Sequence, residues 1–372
     1  MKIIVYFVVR NNSIVIKFIF KKIFEGSLVL FGVVTVIFFL FNVLPGDPAT
    51  VMLGQRANKD AIEAINKDLG RDKPLVTQYF MYLNDLSFLS FHNADDHNSA
   101  YYLDSSKYSY KKVASFGEGT CMVVKQPYLR RSYITKRKVS EIISETLPET
   151  AVLALSSIIV ASIFGIFLGV LAAVKKDTFF DRLALVLSAL GMSAPAFFIA
   201  IIISWLFGFV LADYTGLSPI GSLFTDDVWE GEKLDLKNLI LPTITMGMRP
   251  LAVIVQLTRS SLLDVLSQDY IRTAKAKGLT FYKVLVKHAL KNALNPVVTA
   301  ISGWFAGLMA GAVLVERIFS WKGIGNEVFE ALSKNDLPVV MGSTLIFALF
   351  FVVTNIFVDI AYGILDPRVR KN

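Results

Sequence analysis

The chain has 372 residues, 54% of them hydrophobic and 12% aromatic, and its 38 Lys and Arg against 30 Asp and Glu give a net charge of +8. A soluble fold cannot hide that much apolar surface, so the composition points to a polytopic membrane protein. The cations gather at the ends of apolar runs, which topology explains better than a nucleic-acid partner does, and the lone Cys121 excludes an internal disulfide or a thiolate metal cluster.

Residues 1–24 carry Lys2, Arg10, Lys17, Lys21 and Lys22 and no acid. They read as a cytoplasmic N-terminal segment of interfacial character. The first transmembrane helix is expected over 25–44, an uncleaved anchor because no small-residue cleavage site follows. The run LPGDPATVMLG at 44–54 then breaks the helix with prolines and glycines, and Asp47 there fits a turn former better than a substrate contact.

Residues 45–146 are polar and nearly charge-balanced, the composition of an extracytoplasmic subdomain between helices 1 and 2. Within it 88–128 reads as an insertion, rich in Tyr, Ser, Asp and Asn. His92, Asp95, Asp96 and His97 match no metal-ligand spacing, and a solvated loop is the expected setting for them.

A second span is expected over 147–174, where Gly165 and Gly169 form a GxxxG pair that admits a neighbouring helix backbone. A third, 183–211, holds Pro195, which predicts a kink. The acidic, turn-rich stretch 213–238 falls outside. The fourth span, 239–257, carries Arg249 at mid-depth. An ionised group there faces either a wet substrate path, where it could meet a substrate carboxylate, or a salt bridge or backbone contact within the bundle.

Between the fourth and fifth spans lies the basic loop 264–295, DVLSQDYIRTAKAKGLTFYKVLVKHALKNALN. Its Lys and Arg density assigns it to the cytoplasmic side. Ala274, Lys275, Ala276 and Lys277 favour helix, Gly278 offers a C-terminal break, and a second helical run starts at Tyr282. In the fifth span, 297–315, Gly303, Gly307 and Gly311 recur on one helical face, a groove suited to close contact with another span. Residues 316–337 follow outside, and 338–365 form the sixth span. Arg368, Arg370 and Lys371 return the C-terminus to the cytoplasm.

RTAKAKG followed by HALKNALNP resembles the EAA loop of ATP-binding-cassette importer permeases, in the form used by the peptide and nickel branch. The flanks LPGDPATVMLG and ERIFSWKGIGNEVFEAL are similar to that family as well. Ala274 and Gly278 match the small residues of the loop, whereas Arg272 and Thr273 stand where the general pattern has Glu and Ala. The resemblance implies an all-α fold of the type I ABC importer permease class, with six transmembrane helices and an extracytoplasmic insertion. It implies that Arg272 to Gly278 form a coupling helix seated on an ATPase subunit. It also implies a bacterial cytoplasmic membrane location with both termini inside.

The partners implied are a second homologous permease, two ABC ATPase subunits and an extracytoplasmic solute-binding protein, with no nucleic acid. No GxxxxGK[ST] loop, HExxH or nucleophile triad is present, so the chain is expected to be a transport subunit and not an enzyme. It binds no cofactor in this reading, with ATP and Mg held by the partner subunits. Di- and oligopeptides are the expected cargo, with nickel or another small solute as the alternative. An ion-driven secondary transporter would show inverted repeats and paired intramembrane carboxylates, which are not seen. A receptor or scaffold signalling through the insertion would need no ATPase.

Overall fold

The computed structural model describes residues 2–43, 66, 70–96, 99–105, 107–117, 119–227, 231–311 and 313–365. The 44–54 turn with Asp47, His97, and Arg368, Arg370 and Lys371 lie outside the described residues. The fold is mostly helical. Among the described residues four helices are long and apolar enough to cross a membrane, or up to six if each of two bent pairs counts as one span.

The chain divides into two compact units, one of 146–326 with 1–29 and 347–372, the other of 30–145 with 327–346. In the first unit, helix α3 (Val139–Val174, its later part) packs on α6 (Ile240–Leu266). Small residues allow the approach. A Cβ on Gly165 would stand 2.7 Å from Ile254, and one on Gly169 would stand 2.6 Å from Thr258 and 2.8 Å from the Val255 carbonyl, so both positions require glycine. Gly247 makes the reciprocal approach to the Ser157 carbonyl, at 3.0 Å.

Pro195 does more than kink a span. Helix α4 (Phe179–Ser193) and α5 (Ala196–Trp205) meet at 108°. Ala194, the residue before the proline, is extended at φ −74°, ψ 136°, because the ring excludes the helical conformation there. The chain therefore turns a corner, and a π-helical segment, Leu206–Val210, continues α5. The third expected span is a broken pair and not one bent helix.

Helix α1 runs unbroken from Lys2 to Val43. Its most apolar stretch is Ile19–Phe41. Lys22 forms an ion pair at 3.0 Å with Asp359 of α11 (Leu337–Leu365), and Gly26 lets α11 approach within 2.8 Å of where its Cβ would be.

In the second unit, α2 (Leu75–Leu86) packs on α1 through Tyr79 and Tyr82 against Phe38, and Tyr79 Oη lies 2.7 Å from Thr35 Oγ1. The 88–128 insertion forms an antiparallel sheet of β1 (Leu89–Asn93), β2 (Tyr110–Ser115) and β3 (Thr120–Lys125) in the order β1-β3-β2. Alternation sends Ser90, His92, Cys121, Val123 and Lys125 inward and leaves Leu89, Phe91 and Val124 exposed. The first unit holds a separate hairpin, β4 (Phe224–Asp227) with β5 (Gly231–Leu234), in the acidic stretch before α6.

His92 is thus a core residue of β1 and not part of a solvated loop. Its Nδ1 lies 3.2 Å from the Tyr101 carbonyl and its Nε2 3.1 Å from Ser90 Oγ, and burial lowers its pKa. Nearby, Tyr108 Oη donates to Asp85 at 2.6 Å and Lys125 Nζ donates to the Asp85 carbonyl at 2.5 Å. Burial raises the pKa of both Asp85 and Tyr108 and lowers that of Lys125. Cys121 is a buried free thiol beside them.

Candidate coupling surface and substrate path

The helix–turn–helix expected between the fourth and fifth spans is present. Helix α7 (Asp269–Ala276) ends at Gly278, whose φ of +77° is open to glycine with little strain. Helix α8 (Phe281–Val284) then passes through a π-helical segment, Leu285–Leu290, into α9 (Lys291–Gly311) without a break at Pro296. The expected start of the fifth span at 297 is therefore interior to a continuous helix.

Every third or fourth residue of α7 faces the bundle. Ile271 and Ala274 are buried in one cluster with Ala173, Leu262, Val284, Ala289 and Ala293, which belong to α3, α6, α8–α9 and the π-helical segment between them. Arg272, Thr273, Lys275, Ala276, Lys277 and Gly278 are all exposed. Of the seven residues picked from sequence, six line one outward face and Ala274 anchors it from beneath. A force applied to that face reaches three long helices through side-chain packing, because close-packed interiors transmit displacement.

Arg249 is exposed on α6, beside the buried Pro250. No ion pair of Arg249 is present among the described residues. Gly303 and Gly307 of α9 are exposed, with nothing within 4 Å of where a Cβ would lie. Gly311 ends α9 and its surroundings are not described. Gly303 and Gly307 thus leave a small-residue face uncovered by the described helices.

Two polar clusters were not visible in the sequence. Near the α7 end of the first unit, Arg259 donates to buried Asp181 through Nε at 2.5 Å and Nη2 at 2.8 Å, tying α4 to α6. At the opposite end of α6, helix α10 (Val313–Phe319) and the loop after it close on α3. Glu316, fully buried, accepts from Thr150 Oγ1 at 2.7 Å and from the Asn326 amide at 3.0 Å. Glu149 accepts from Ser222 Oγ, and Trp321 Nε1 donates to the Glu149 carbonyl at 3.1 Å. A Cβ on Gly323 would lie 2.4 Å from Glu316, so the loop fits only as glycine. Trp321 is fully buried, which rules out its serving as an interfacial anchor.

Taken together, broken apolar spans, a small-residue face and a cationic helix–turn–helix packed under long apolar helices give the layout of a multi-pass membrane permease. Residues 165–371 match the family of binding-protein-dependent transport system inner membrane components, and residues 15–116 match the N-terminal region of such components. The chain is 34% identical to a dipeptide transport system permease protein, DppB, of Alkalihalophilus pseudofirmus over 360 residues, 92% of this chain and 96% of the relative. A di/tripeptide transport system permease, DppB of Pseudomonas aeruginosa, is 36% identical over 91% of this chain and 94% of its own length. A glutathione transport system permease, GsiC of Salmonella paratyphi A, is 33% identical over 91% and 94%. The chain belongs to the binding-protein-dependent transport permease family, with the type I ABC importer permease fold, and is a multi-pass inner-membrane transport subunit.

Proposed function

We propose that this chain forms half of a translocation pathway for di- or oligopeptides and couples it to ATP hydrolysis by separate subunits. The observation that carries this is the exposed face of α7, cationic at Arg272, Lys275 and Lys277, with its reverse side packed under α3, α6 and α9. ATP and Mg belong to two ATPase partners in this reading, and an extracytoplasmic binding protein delivers the cargo. The relatives named above are described by peptides and not by nickel, which favours peptides. A second, homologous permease covers Gly303 and Gly307. The α7 end is cytoplasmic, together with both termini, and Arg249 lines the path where a peptide carboxylate passes.

Gly278→Pro tests the coupling role. Proline fixes φ near −65°, which the turn at +77° cannot accept. Uptake of a labelled dipeptide should fall to background while membrane insertion and the partners' ATPase activity persist, now independent of binding protein. A photocrosslinker at Ala276 should capture an ATPase subunit. Normal uptake by Gly278→Pro, or uptake sustained by an ion gradient after ATP depletion, would contradict the proposal.

A further inference from the structure

We propose that the first unit carries a site for an anionic phospholipid, with one acyl chain between α3, α4, α5 and α6 and the phosphate at the α3–α4 turn. A cavity of about 530 Å³ lies among these helices. Its walls include Leu171, Phe180, Ala184, Leu187 and Met248, and Ser188 is the sole polar side chain in the lining. Apolar space of this kind holds no water, since water needs two or more polar partners. The outward faces of α4 and α5 beside it, with Val186, Leu190, Phe198 and Ile201, are exposed and apolar. Hydrocarbon is the solvent such faces meet, and an acyl chain fills the cavity from there.

The mouth is chemically different. Phe180, part of the lining, has the ammonium of Lys175 4.5 Å above its ring, which places a cation at the rim. Lys176 follows, more than half exposed, and its only ion pair among the described residues is a 4.0 Å contact with its neighbour Asp177. Thr178 precedes α4 but turns its hydroxyl back to the Lys175 carbonyl at 2.6 Å, so the 15-residue helix begins without a side-chain cap. Two lysines at the mouth of an apolar cavity attract a phosphate. The acids in the turn leave those cations accessible: Asp177 is exposed at 4.0 Å from Lys176, and Asp181 is committed to Arg259 and to the Asp177 amide, at 2.9 Å. A transmembrane helix from another subunit would fill apolar space but bring no anion to this rim, and charge therefore favours the lipid.

The leaflet assignment rests on the orientation proposed above, in which the α7 end is cytoplasmic. Ala173, two residues before Lys175, packs against Ile271 and Ala274 of α7, so the rim lies at that end. The test uses the full-length chain, delipidated in neutral detergent and titrated with dioleoylphosphatidylglycerol or dioleoylphosphatidylcholine, with bound lipid counted by native mass spectrometry. Phosphatidylglycerol should bind about tenfold more tightly, and K175Q/K176Q should weaken it by about the same factor, to the level of phosphatidylcholine, which stays unchanged. Ala184→Trp should expel both lipids, and Ala184→Leu serves if that variant does not fold. Equal affinity for the two lipids, or phosphatidylglycerol binding unaltered in K175Q/K176Q, overturns the site. So does a photoreactive group in place of Leu187 that captures a second permease in membranes and not lipid. Labelling of K176C by an impermeant maleimide from outside intact cells would sink the orientation separately, while the detergent titration still judges the lipid site.

Discussion

Removing Asp181 is the perturbation whose consequence the structure specifies most closely. Its side chain is 3% exposed and holds Arg259, itself 19% exposed, through two hydrogen bonds, while also accepting the Asp177 amide at 2.9 Å. Deleting one partner of a buried pair leaves the other charge stranded and costs about 3–5 kcal/mol. Because Arg259 retains some access to solvent, Asp181→Ala is expected to cost about 3 kcal/mol, near the low end of that range. Replacing both partners by apolar residues, Asp181→Leu with Arg259→Met, removes the stranded charge and should cost less than Asp181→Ala alone. Equilibrium unfolding of the purified chain in mixed micelles of increasing denaturing-detergent fraction, run as a double-mutant cycle, measures the difference. A coupling energy of about 2 kcal/mol or more is expected. Singles that add to the double within about 0.5 kcal/mol would refute the pair's role in joining α4 to α6.

Three further outcomes follow from particular contacts. Gly169→Val places atoms where Thr258 and the Val255 carbonyl already stand, and should destabilise the chain by about 1–3 kcal/mol in the same unfolding assay. Gly303→Val, at a position where a Cβ meets nothing within 4 Å, should leave the isolated chain nearly unaffected and lower mainly the yield of co-purified second permease. Burial lowers the pKa of His92, so the unfolded state binds its proton first. The 88–128 sheet should therefore lose stability as pH falls below about 6.5, read by hydrogen exchange of β1 and β3 amides, and His92→Gln should flatten that acid-side loss. Asp85, whose pKa burial raises, has the opposite sign, favouring the fold at acid pH and opposing it as pH rises above its ordinary value, so the His92→Gln comparison isolates the imidazole.

The parts legible in the sequence were those governed by local chemistry. Helix formers ending in Gly278 yielded α7 and its left-handed turn, and the spacing of Gly165 and Gly169 foretold the close passage of α6. What escaped depends on partners distant in the chain. Asp181 and Arg259 stand 78 residues apart and Thr150 and Glu316 stand 166 apart, and no periodicity links them. The corner at Pro195 was hidden differently: both α4 and α5 are apolar, so hydropathy ran through a break that the extended Ala194 creates. The sheet was masked by its short strands, five or six residues long, in a stretch whose composition reads as loop.

The π-helical segment Leu285–Leu290 sits between the α7 turn and the long α9. Each wide turn accommodates one surplus residue, and such a surplus can migrate along a helix by exchanging one hydrogen bond for the next. The hydrogen-bond ladder between the α7 turn and α9 is therefore wider than that of a regular helix. On the coupling role proposed above, a displacement of the cationic turn would meet this irregular stretch before it reaches the Gly303 face.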